Sequence, residues 1–154
     1  MTSVLTRMVS RSLLAPTLIV AAAILVKGYA DVGDGFAAGI VATLGVLLQY
    51  LAFGRNEVTA ALPVHRATTV ALAGLLLSFA VFAIPFLLGN APMEHWPPPG
   101  EEVIHIGTAE VITAVAFDIG VFLLVLGAST SIIDALAALE EEDDDTGDPE
   151  VQAP

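Results

Sequence analysis

Asp118 is the residue in this sequence whose surroundings most demand a chemical explanation. It stands in Ala116-Phe117-Asp118-Ile119-Gly120-Val121, seven residues after the start of an otherwise uncharged run at 111–133. If that run crosses a bilayer, a charge there is costly, so the carboxyl should be protonated, paired with a base, or facing water. Two readings stay open: a titratable group that passes protons or cations, or a neutral acid bonded to a neighbouring helix for packing alone. Glu110 precedes it by eight residues, about 12 Å along an ideal helix and about 80° around it. With His105 and Thr108 nearer the same end, the acids could form a descending series of ion-handling groups. The competing reading leaves Glu110 and His105 solvated or interfacial.

A second concentration of polar groups lies at 27–39, where Lys27, Asp31 and Asp34 stand among Gly28, Gly33, Gly35 and Gly39. Asp31 or Asp34 could cap a following helix or pair with Lys27. Gly35 and Gly39, four residues apart, open that helix with a face on which another helix can pack closely. An anion-binding nest is the alternative, but the glycines match neither the Walker A nor the dinucleotide spacing. Thr113, Gly120 and Gly127 recur every seven residues and predict a second close seam. Three scattered histidines, His65, His95 and His105, do not make a metal site, and the absence of cysteine removes thiolate ligands and nucleophiles. With no triad, phosphate loop or cofactor motif, an enzyme in its own right is not expected.

The elements that must position these groups follow from composition. In 154 residues, 56% are apolar and 14% charged, with a mean hydropathy of +0.82; a soluble domain this small cannot bury that much hydrocarbon. Four apolar stretches, about 12–30, 36–54, 67–89 and 104–138, each approach or exceed the roughly 20 residues that span a hydrocarbon core. Only helices or closed barrels satisfy their backbones in lipid, and no strand-like alternation competes. The expectation is an all-α integral membrane protein, one four-helix transmembrane bundle over 1–139. A signal peptide is the alternative for the first stretch, although Lys27 fits poorly beside a cleavage site.

Charge gives the orientation. Arg7 and Arg11 precede the first span, Arg55 and Arg66 bracket the second loop, and the third loop at 90–102 has no base. Cytoplasmic N- and C-termini in the cell membrane put four of the five bases inside, with Lys27 outside. The third loop, rich in proline around Trp96, reads as a rigid external connector. Of the 17 acids, 8 lie in the last fifteen positions, so residues 140–154 read as a disordered acidic tail that folding can dispense with. The formal charge of −12 excludes a basic nucleic-acid surface.

Two blocks carry a family resemblance. Gly28, Gly33, Gly35, Phe36 and Gly39, followed by the stretch 46–54, resemble the G-H-x-x-P-G-G-G-F-x-x-G signature of the MnhB/MrpB family, the B subunits of multisubunit sodium/proton antiporters. Tyr29, Val32 and Asp34 replace the histidine, the proline and the middle glycine. Phe117-Asp118-Ile119-Gly120-Val121, with Val125 and Gly127, is similar to the family's F-D-x-G-V pattern in the last helix. The resemblance covers about residues 10–138. It implies a small membrane subunit that partners the other subunits of an antiporter exchanging protons for sodium or another monovalent cation, supports their assembly, and contributes to the ion path. The alternatives are an equivalent subunit of a redox-driven, complex I-like or hydrogenase-type pump, and a free-standing membrane scaffold or small channel.

Overall fold

The computed structural model describes residues 3–27, 34–89, 105–106, 109–110 and 113–146, with the backbone alone at 105–106, 109–110 and 143–146. In chain order the elements are α1 (Val4–Lys27), α2 (Asp34–Phe53), α3 (Arg55–Ala61), a 3-10 turn (Val64–Arg66), α4 (Ala67–Leu87), β1 (His105–Ile106), β2 (Ala109–Glu110) and α5 (Thr113–Thr146). Among the described residues, four stretches are long and apolar enough to cross a membrane: Val4–Lys27, Asp34–Phe53, Val64–Leu87 and Thr113–Glu142. The chain is an all-α membrane protein with one two-residue antiparallel pairing, His105 opposite Glu110 and Ile106 opposite Ala109.

The boundaries follow local chemistry. Gly54, at φ 81° and ψ 167°, takes an extended positive-φ conformation that glycine alone adopts readily, ending α2 and turning the chain into α3. Gly89, at φ 87°, also takes a positive φ after α4, where its N–H donates to the Phe86 carbonyl. Pro85 therefore stands in the last turn of α4.

Three expectations are corrected. The last span starts at Thr113 rather than near 104, because β-branched Ile106 and its neighbours take up the β1–β2 pairing before the helix begins. The loop at 55–66 folds into α3 and the 3-10 turn. The acidic tail is helical as far as Thr146: Glu140, Glu141 and Glu142 are good helix formers, and Glu141 is tied down by Asn56 and Arg55. Residues 147–154 lie outside the described residues, as does the proline-rich loop.

By mutual contact the four long helices follow the order α1, α2, α5, α4, forming a layer. Among the described residues α4 has no close backbone approach to α1 or α2. Lipid tails are as apolar as leucine, so nothing squeezes the layer shut, and helices pair where small residues let backbones approach. The burial pattern has that character. The interior is Ala38, Ala42, Ala67, Ala71, Ala114 and several glycines, whereas Leu72, Leu76, Phe79 and Phe86 of α4 and Leu5, Met8 and Ile19 of α1 point outward.

Each seam is set by glycine. Between α4 and α5, a methyl at Gly120 would lie 2.9 Å from the Ser78 nitrogen, and one at Gly127 would lie 2.9 Å from the Ala71 Cα. Between α2 and α5, Gly35 abuts the Asp118 backbone and Gly39 abuts Val125 and Phe122. Between α1 and α2, Gly45 faces the Thr17 side chain, and Gln49 donates to the Ser10 carbonyl at 2.8 Å.

Candidate functional site

Asp118 is 5% exposed. Its burial comes from packing more than from depth: it is five residues beyond the start of α5, about 7.5 Å along the axis. At that level α5 meets the first turn of α2 so closely that a side chain at Gly35 would collide with the Asp118 carbonyl oxygen. The missing Cβ at Gly35 is therefore what lets the acid-bearing backbone of α5 approach the end of α2. The first N–H groups of any helix lack intrahelical acceptors and carry the positive end of its dipole, which favours an anion nearby. The setting of Asp118 thus combines removal from solvent with close approach of its backbone to the first turn of α2.

The residue before Gly35 belongs to the same end of the layer. Asp34 opens α2 and accepts from Lys27, the last residue of α1, at 3.4 Å. The pair closes the gap between α1 and α2, with Asp34 also well placed in the first helical turn. The structure thus brings Lys27, Asp34 and Asp118 to one end of the layer. His105 and Glu110 are backbone-paired neighbours in the segment leading into α5. Glu110 therefore precedes the helix and does not share its surface with Asp118, as a continuous helix from 104 would require. Asp31 lies outside the described residues.

A second polar cluster, which sequence reasoning missed, occupies the opposite end of the layer. Asp134 of α5 accepts from the Tyr50 hydroxyl and from Arg55 Nε, each at 3.0 Å. Arg55 also reaches Glu141 Oε2 at 3.6 Å, and Asn56 donates to Glu141 Oε1 at 3.0 Å. The hydrogen bond to Asp134, and then its charge, raise the Arg55 pKa above its ordinary value, so the guanidinium is permanently charged. On the other side of α3, Arg7 of α1 pairs with Glu57, donates to the Ala52 carbonyl and lies over the Phe53 ring. The seven-residue α3 thereby ties α1 to α5 across the end of α2. One signal could have revealed it: an acid near the end of the fourth apolar run and a base just after the second fall at the same membrane boundary once the spans are laid antiparallel.

Two buried hydroxyls, Ser78 Oγ and Thr130 Oγ1, have no hydrogen-bond partner among the described residues. No group of three or more metal-ligating side chains occurs among the described residues. What the arrangement offers is therefore electrostatic: a buried acidic residue beside the start of α2 at one end, and an ionic brace at the other.

Known proteins are similar to this chain in sequence. The family described as "Domain related to MnhB subunit of Na+/H+ antiporter" matches residues 5–131. A Rhizobium meliloti protein, named as a probable K(+)/H(+) antiporter A/B subunit, is 35% identical over 127 residues, covering 79% of this chain; the chain spans only 12% of that much longer protein. The Na(+)/H(+) antiporter B subunit of Bacillus subtilis is 33% identical over 119 residues, covering 77% of this chain and 80% of its own length. A protein of the same name from Alkalihalophilus pseudofirmus is 30% identical over 110 residues, covering 71% and 75%. The matched region takes in α1 from its second residue, all of α2 to α4 and the part of α5 that bears Asp118, Gly120 and Gly127, and with that coverage the chain belongs to the MnhB family.

Proposed function

We propose that this chain is the B-type member of a multisubunit antiporter that exchanges protons for a monovalent cation across the cell membrane. The observation that carries this reading is the family match over 5–131, which runs through all four spans. Relatives are named for sodium and for potassium, so the cargo is assigned here only as a monovalent cation. The chain works without covalent chemistry of its own, beside the larger subunits of the complex. Its α3 face is cytoplasmic: Arg7, Arg11, Arg55 and Arg66 cluster there, leaving Lys27 outside.

Within that role Asp118 is the group assigned to the ion path. Its seat against Gly35 and the start of α2 supports this, as does the nearby Lys27–Asp34 pair. Glu110, His105 and Asp31 are the secondary candidates at the same external end. Gly35, Gly39, Gly120 and Gly127 serve helix packing. The test is deletion of the gene from its host followed by assay of everted vesicles, with a pH-sensitive dye reporting proton efflux when sodium or potassium is added. Cation-driven proton movement should disappear on deletion and return with the intact chain. Full exchange in the deletion strain, or co-purification of the chain with electron-transfer proteins alone, would refute the assignment.

A further inference from the structure

On the α3 face a groove of about 490 Å³ opens between α1, α2 and α3. Its walls are mainly apolar, with Leu14, Phe53, Val58 and Leu62 prominent, and Arg11 stands at its side. We propose that this groove binds one anionic phospholipid, its phosphate on Arg11 and the upper part of an acyl chain against the apolar wall.

The argument begins with charge. Of the five Lys and Arg residues, Arg7, Lys27 and Arg55 are engaged by carboxylates. Arg11 has no ion pair among the described residues. Glu57 also borders the groove, but Arg7 already neutralises it, so the groove carries one net positive charge. Gln49 offers no competing donor, since its amide nitrogen is spent on the Ser10 and Gly45 carbonyls.

Depth makes the same point. Arg11 is one helical turn, about 6 Å, further into the span than Arg7. A guanidinium at that depth beside leucine, valine and phenylalanine needs an anion or a path to water. Basic pockets between spanning helices on the cytoplasmic side are suited to anionic headgroups. The guanidinium's planar donors match phosphate oxygens two at a time. An acyl chain satisfies the rest of the groove, which a free phosphate ion would leave empty.

The test uses the full chain, purified in mild detergent with whatever subunits accompany it and stripped of loosely held lipid. Dioleoyl phosphatidylglycerol is then titrated in and bound lipids are counted by native mass spectrometry. One phosphatidylglycerol should be retained per chain, with phosphatidylcholine far weaker and inorganic phosphate unable to displace it. Arg11→Gln should raise the titration midpoint about fivefold, the effect of one basic residue at an anionic surface, and Arg11→Lys should recover most of the loss. Arg66→Gln, which removes a base outside the groove, should leave the midpoint unchanged. Ala61→Phe should also expel the lipid by filling the groove, and it decides the matter if Arg11→Gln fails to accumulate. Equal lipid retention by wild type and both groove variants would overturn the proposal. So would equal binding of phosphatidylcholine, displacement by inorganic phosphate, or loss of a partner protein from Arg11→Gln with the lipid count unchanged.

Discussion

A carboxyl held between two helices by a missing Cβ differs from one at the centre of a hydrocarbon slab. The Asp118 seat is near the end of α5, and its low exposure comes from the contact with Gly35. Small shifts of α2 against α5 would therefore change how far the residue is removed from its surroundings. Asp118→Asn keeps the size and much of the hydrogen bonding while deleting the titratable proton. The expected outcome is normal complex abundance with cation-driven proton movement reduced to background over the whole pH range of the assay. Wild-type exchange across that range would remove Asp118 from the ion path. Asp134, at the other end of α5, should behave differently, because its acceptors are occupied by Tyr50 and Arg55. Asp134→Leu would leave the Arg55 guanidinium with Glu141 alone, and Arg55→Leu would leave the Asp134 carboxylate with Tyr50 alone. Each single variant should lower the thermal midpoint, and the double replacement should recover part of the loss. Strictly additive losses would show that the pair does not brace the helices.

Among the elements, the seams differ in how much they can yield. A methyl at Gly35 meets backbone atoms of α5, which cannot move without moving the helix, whereas one at Gly45 meets the Thr17 side chain at 3.0 Å. Gly35→Ala should therefore cost about 1–3 kcal/mol, the range for overpacking, and Gly45→Ala distinctly less. Measured by thermal unfolding in detergent, equal destabilisation by the two would mean that the α2–α5 contact is looser than drawn. Much of this was legible beforehand. The Gly35/Gly39 and Gly120/Gly127 spacings locate faces that the structure sets against neighbouring backbones, because close packing in lipid needs small residues at helical intervals, and such intervals are visible in a sequence. Which face meets which helix was not legible, since all four spans are apolar all round and lack the polar side that orients a soluble helix. The start of α5 was hidden for a related reason: Ile104, Ile106, Val111 and Ile112 read equally well as membrane helix and as extended chain. The helical acidic stretch escaped because local charge repulsion argues against order, while its anchor, Arg55 on α3, is 86 positions before Glu141 in the chain.

At the scale of the whole molecule, the two ends of the layer are chemically unlike. The α3 end carries four of the five Lys and Arg residues, and three of its acids, Glu57, Asp134 and Glu141, are paired with arginine. The opposite end carries Lys27, Asp34 and Asp118. The acids of the first end are held by fixed ion pairs, whereas Asp118 at the second is buried against the start of α2. The asymmetry also fixes the expected topology, because arginines resist translocation and those at the α3 end should remain cytoplasmic. The chain contains no cysteine, so single cysteines report position without background. Ala91→Cys, between α4 and β1, should react with a membrane-impermeant maleimide on intact cells, whereas Ala60→Cys on α3 and Thr146→Cys at the end of α5 should react only after the membrane is opened. The opposite pattern would place Arg11 and its groove in the outer leaflet and the Asp118 end in the cytoplasm, reversing the direction from which each ion reaches that carboxyl. Labelling of all three positions from one side would contradict four spans, since α4 must carry the chain across between Ala60 and Ala91.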